Sequence, residues 1–89
     1  MAHPKSPDKI CEQYAGRGVS LKISLLGDLV LVEGDAVSLD FLGRVLIAQA
    51  GTTDDGFQLS PKGPGRKHFS RRSSLGIYIH RVPSRPLKS

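Results

Sequence analysis

The sequence predicts an α+β fold: a two-layer sandwich in which one main helix packs on a four-stranded, mainly antiparallel sheet. Three observations lead there. Val19, Leu21, Ile23 and Leu25 alternate with Ser20, Lys22 and Ser24, the period of a strand with one buried face. Between Asp35 and Gly51, apolar residues recur at helical spacing. Two further short alternating segments, 57–60 and 75–82, flank a long polar stretch.

The first strand ends at Gly27-Asp28. Glycine at the first position of a two-residue loop suits a type II′ hairpin, because it takes a positive φ without a Cβ clash. Residues 29–33 then return as the second strand, with Ile23 opposite Val32 and Leu25 opposite Val30 on one side. Leu26, Leu29 and Leu31 share the other side with Lys22, Ser24 and Glu33, so both faces of the hairpin are partly apolar.

Asp35 is placed to cap a helix that Gly51 stops. Within it Leu39, Phe41, Leu42, Val45, Leu46 and Ala48 fall on one broad arc, expected to cover the hairpin, with Asp40, Gly43 and Arg44 opposite. Asp40 and Arg44 form a favourable i,i+4 pair. Ile47 lies among the polar positions. A polar connection follows, then the strand at 57–60 that Pro61 ends. Residues 62–74 read as a flexible basic loop, and the last strand puts Ile77 and Ile79 on one face and Tyr78, His80 and Val82 on the other.

Residues 1–9 and 83–89 read as disordered tails around a single domain at 10–82. Segment 10–18 fits either a short helical turn ending at Gly16 or a run into the first strand. One helix covers one face of a sheet. Leu26, Leu29 and Leu31 therefore need the N-terminal segment, a second copy or another protein above them, since an open apolar patch on a small domain marks a contact site.

Charge is divided along the chain. Residues 1–55 carry five Lys/Arg against eight Asp/Glu, whereas 56–89 carry eight Lys/Arg and no acid. An uncompensated positive segment attracts anionic polymers and acidic protein faces. At 89 residues the chain holds one small core and no large ligand cavity. Its single cysteine, Cys11, excludes an intrachain disulfide and fits a reducing cytoplasm. Residues 1–9 lack the apolar run of a secretory signal. The longest apolar segment, 25–32, is broken by Gly27-Asp28 and falls short of the roughly 20 residues of a membrane span.

The motifs exclude more than they assign. Gly63-Pro64-Gly65-Arg66-Lys67 lacks the spacing of a phosphate-binding loop and the helix that must follow one. His3, His68, His80 and Cys11 never reach metal-ligand spacing. No nucleophile, base and orienting group can be nominated together, so neither enzyme activity nor a cofactor is expected. Arg71-Arg72-Ser73-Ser74 would attract a basophilic kinase. Lys62, Arg66, Lys67, His68, Arg71 and Arg72, with Phe69 among them, could track phosphates while Phe69 or Tyr78 stacks on an unpaired base. Signatures of the RNA-recognition sheet, KH domains, zinc fingers and helix-turn-helix proteins are missing.

The stretch LKISLLGDLVLVEGDAVSLDFLGRVLIAQAGTTDDGFQLS, followed after the basic segment by LGIYIHRV, resembles the small immunity proteins of bacterial polymorphic toxin systems, the family catalogued as immunity protein thirty-two. The resemblance rests on Gly34 before the helix, Leu39 and Leu42 within it, Leu59 and Pro61 after it, and Ile77 and Ile79 in the last strand. It implies a stoichiometric inhibitor that blocks a toxin's active site without catalytic residues of its own. The basic insertion at 62–74 and the lack of a His and an Asp on the third strand depart from that pattern. A nuclease toxin with a basic cleft calls for an acidic inhibitor, so a +8 C-terminal part suits a different, acidic partner.

Together these observations predict a non-enzymatic binding module. Leu26, Leu29 and Leu31 supply the apolar anchor for a protein partner or a second copy. Lys62, Arg66, Lys67, Arg71 and Arg72 give steering and rim contacts, with Phe69, Tyr78 and His80 on the same surface. Nucleic-acid binding through residues 62–72 is the alternative.

Overall fold

Ser6, Pro7 and Asp8 begin a helix by rules that need no tertiary contact: a hydroxyl N-cap, proline at the first helical position, and an acid in the first turn. In the computed structural model, which describes residues 6–52 and 56–82, helix α1 spans Pro7–Tyr14, and the Ser6 hydroxyl accepts from the Lys9 amide. The helix thus starts within the segment expected to be a tail, and residues 10–14 take the helical alternative. The rest of the tails, 1–5 and 83–89, lies outside the described residues.

Strands β1 (Lys22–Leu26) and β2 (Leu29–Glu33) form the expected hairpin. Ile23 pairs with Val32, Leu25 with Val30 and Leu26 with Leu29. Gly27 has φ +63°, whereas Asp28, like every other non-glycine among the described residues, is not left-handed, as a type II′ loop requires. Helix α2 (Ala36–Ala50) follows, capped by the Asp35 carboxylate, which accepts from the Ser38 amide at 3.0 Å.

The face α2 buries is not the arc that apolar residues alone suggest. Ser38, Phe41, Val45, Ala48 and Gln49 point inward, while Leu39, Leu46 and Ile47 are exposed. The cause is α1. It packs on α2 through Ile10 and Tyr14, with the Tyr14 and Phe41 rings 5.4 Å apart, and Ser38 is turned in because its hydroxyl accepts the Ser20 amide at 2.8 Å. Helix α2 therefore pairs with a helix rather than lying across the hairpin.

β3 (Gly56–Leu59) and β4 (Ile77–His80) pair antiparallel, with Phe57 opposite Ile79 and Leu59 opposite Ile77. Among the described residues the fold is α+β with two helices, but its strands make two separate two-stranded sheets instead of the one four-stranded sheet expected. The reason lies in residues 60–75. A short 3-10 turn, η1 (Arg66–His68), brings the chain alongside the outer edge of β1. There Leu21 donates to His68 and accepts from Ser70, and the Ile23 carbonyl accepts from Ser74 and Leu75. An irregular segment thus occupies the β1 edge at which a strand of a larger sheet would have paired. The core sits at this junction: Leu21 and Ile23 from the hairpin base, Phe41 and Val45 from α2, Leu59 from β3, Phe69 from the basic segment, and Ile10 and Tyr14 from α1.

None of the described helices is long and apolar enough to cross a membrane.

Candidate functional site

Burial falls steeply along the hairpin. Ile23 at its base is 1 % exposed, whereas Leu25, Leu26, Leu29 and Val30 at its outer half are each 56–67 % exposed. Because neighbouring strand residues face opposite sides, this places bare apolar side chains on both faces: Leu25 and Val30 on one, Leu26 and Leu29 on the other. Of the three leucines expected as the anchor, Leu26 and Leu29 are exposed and Leu31 is half-buried. Pattern reading missed Leu25 and Val30, having assigned them to the face beneath the helix. Since α1 is committed to α2, neither helix takes the outer half of the hairpin from water.

The basic segment meets the hairpin along β1. Arg71 and Arg72 are exposed between Ser70, whose amide donates to Leu21, and Ser73, whose hydroxyl accepts the Ile23 amide at 2.9 Å. Lys62 precedes this run, and Arg66 and Lys67 stand on η1, all exposed. None of these five cations joins an ion pair among the described residues; the ion pairs there are Lys9–Glu12, Lys22–Glu33 and Arg44–Asp40.

Three features of the segment differ from expectation. Phe69 is 9 % exposed and belongs to the core, because Leu21 bridges it in parallel; it is not available to stack on a base. His68 is also buried, its ring stacked on Phe41. Burial, then the positive charge of Lys67, hold its pKa below the ordinary histidine value. Residues 68–75 are pinned along β1 rather than loose, and Ser73, half of the kinase-type motif, is buried with its hydroxyl engaged by the Ile23 backbone.

Tyr78 and His80 lie on the outer face of the β3–β4 sheet, their rings 6.5 Å apart. Tyr78 is exposed and lies over Gly56, where a Cβ would collide with its ring. This face carries the remaining expected contact residues but belongs to the other sheet.

A further polar cluster lies between the helices. The Tyr14 hydroxyl and the Arg44 Nε both donate to Asp40 Oδ2, and the Arg17 guanidinium sits 4.4 Å above the Tyr14 ring. Tyr14 first, then Arg44, holds the Asp40 carboxyl below the usual carboxylate range. Gln13 completes this open groove. Sequence spacing anticipated only the Asp40–Arg44 pair. Half-buried Cys11 has its thiol pKa raised by burial and by Asp8, which disfavours the nucleophilic thiolate. Among the described residues, no three His, Cys, Asp or Glu side chains converge to hold a metal ion.

No protein-family model, curated protein or solved structure matches this chain.

Proposed function

We propose that the chain is a non-enzymatic protein-binding module whose docking element is the outer half of the β1–β2 hairpin. The observation that carries this reading is the exposure of Leu25, Leu26, Leu29 and Val30 on both faces of one projecting hairpin. Apolar side chains so grouped lose favourable burial in water and regain it under a partner. Arg71 and Arg72 flank the β1 edge and favour a partner with an acidic rim, since unpaired exposed cations steer association and reject basic surfaces. A stoichiometric inhibitor of the immunity type is one form such a module takes.

Nucleic-acid binding keeps the five unpaired cations in its favour but loses Phe69 as a stacking platform, leaving Tyr78 on a different sheet. The two readings separate in one experiment. Captures with the wild-type chain as bait are compared with L26S/L29S and with R71A/R72A, at low and physiological salt. A partner retained at physiological salt and lost with L26S/L29S supports the hairpin, each buried leucine anchor being worth on the order of 2 kcal/mol, about 30-fold in affinity. A nucleic acid retained by L26S/L29S and lost with R71A/R72A overturns it.

A further inference from the structure

The two edges of the β1–β2 hairpin are not equivalent. In a two-residue hairpin the pair beside the turn, here Leu26 and Leu29, exchanges hydrogen bonds, and so does every second pair beyond it. The intervening residues direct their N–H and C=O groups outward. On the β1 side the outward groups at the hairpin base are used: Leu21, just before the strand, exchanges bonds with His68 and Ser70, the Ile23 amide donates to Ser73 Oγ, and the Ile23 carbonyl accepts from Leu75, which leaves only Leu25 beside the turn without a partner among the described residues. On β2 the outward residues are Val30 and Val32. Among the described residues nothing hydrogen-bonds to either backbone, and both side chains are exposed.

We propose that this β2 edge pairs with β2 of a second copy, antiparallel and centred on Leu31, joining two hairpins into one continuous four-stranded sheet. The occupant follows from the sequence of the edge. Leu29-Val30-Leu31-Val32-Glu33 is self-complementary about its centre, as a two-fold contact requires. In that register Val30 stands opposite Val32 of the second copy and exchanges both hydrogen bonds with it, so every outward group of the strand is used. Leu31 meets Leu31, and Glu33, held by Lys22 at 3.3 Å, stands opposite Leu29 instead of a like charge. Cross-strand pairs of β-branched and aliphatic residues stabilise such a ladder. β2 also carries no proline, lysine or bulge to block its edge, the devices that keep natural edges from pairing. The proposal adds a second copy to the hairpin named above and leaves both apolar faces open for another protein.

The test uses the purified full-length chain. Sedimentation equilibrium over roughly micromolar to millimolar concentration reads the mass, and amide hydrogen exchange at the two extremes reads the edge. A mass approaching twice 9.6 kDa, with the Val30 and Val32 amides gaining protection only in the dimer, is the expected result. Val30→Lys changes an exposed side chain and should weaken the dimer at least tenfold while the Leu21 and Ile23 amides stay protected, showing that the hairpin remains folded. Raised salt should strengthen the dimer by screening the net positive charge. A monomer throughout, or a dimer in which Val30 and Val32 exchange as in the monomer, overturns edge pairing. Neither outcome bears on the capture experiment, which reads a different protein.

Discussion

The imidazole of His68 lies stacked on Phe41, ring centroids 4.6 Å apart and planes 27° from parallel, and its buried Nε2 has no hydrogen-bond partner among the described residues. A neutral ring tolerates this position; a charged one would be stripped of water beside Lys67. His68 is therefore held neutral in the folded chain, with its pKa below the value it takes unfolded. Stability from this source is present above the unfolded pKa, about 6.5, and is lost as pH falls through the folded one, because the unfolded chain then binds the extra proton. Urea unfolding should show lower stability at pH 5 than at pH 7.5. His68→Phe keeps a stacked ring without a titratable nitrogen and should flatten that difference; an unchanged slope would show that other groups set it.

Below roughly pH 4 a second loss should begin. Asp35, held low chiefly by hydrogen bonds from Ser38, and Asp40, held low chiefly by Tyr14, both have depressed folded pKa values. Their contributions exist above the unfolded carboxylate pKa and vanish as the folded value is crossed. Tyr14→Phe removes the first donor to Asp40, so NMR titration of its side-chain carboxyl carbon should place the midpoint higher in the variant than in the wild type.

Ser73→Ala tests how the basic segment is fastened. Its hydroxyl accepts the Ile23 amide at 2.9 Å in a buried setting, and losing it orphans that amide at a cost of about 1–3 kcal/mol. Ser74 is exposed, and its hydroxyl lies 3.5 Å from the Ile23 carbonyl. Ser74→Ala should stay within about 0.5 kcal/mol of wild type. Equal effects of the two substitutions in urea unfolding would contradict the assignment.

Gly65 begins the 3-10 turn at φ +77°, a left-handed conformation that costs other residues about 1 kcal/mol or more. A Cβ there would also run into the Leu59 side chain, itself buried in the core. Gly65→Ala should lower the urea midpoint clearly, and Gly43→Ala, where a Cβ meets nothing within 4 Å inside a helix, should hold or raise it.

Local rules carried the parts of this fold that local chemistry decides. The Gly27-Asp28 turn fixed the hairpin register residue by residue, Asp35 and Gly51 bracketed α2, and alternation sorted Ile77 and Ile79 from Tyr78 and His80. The Ser6-Pro7-Asp8 start of α1 is equally local, but it lies in a charged segment without an apolar stretch that reads as a tail. Other features depend on distant partners. Ser38 and Gln49 are buried in place of Leu39 and Leu46 because α1 and Ser20 choose the inward arc of α2, which no count of apolar residues on α2 can reveal. Residues 68–73 bury His68, Phe69 and Ser73 within a run otherwise basic and polar, since their register is set by the β1 backbone. The candidate contact leucines were legible as apolar positions; their exposure was decided by where α1 went.

The Ser73 hydroxyl also bears on how the hairpin can grow. By placing a side-chain oxygen where a neighbouring strand would offer a carbonyl, it joins the backbone of residues 68–75 in covering the base of β1, so that a further strand finds only Leu25 open on that side. A ribbon that can add strands on one side only is used up by its first pairing. Polymerisation into open fibrils, which needs two receptive sides on each copy, is thereby opposed by the chain's own segment lying along β1.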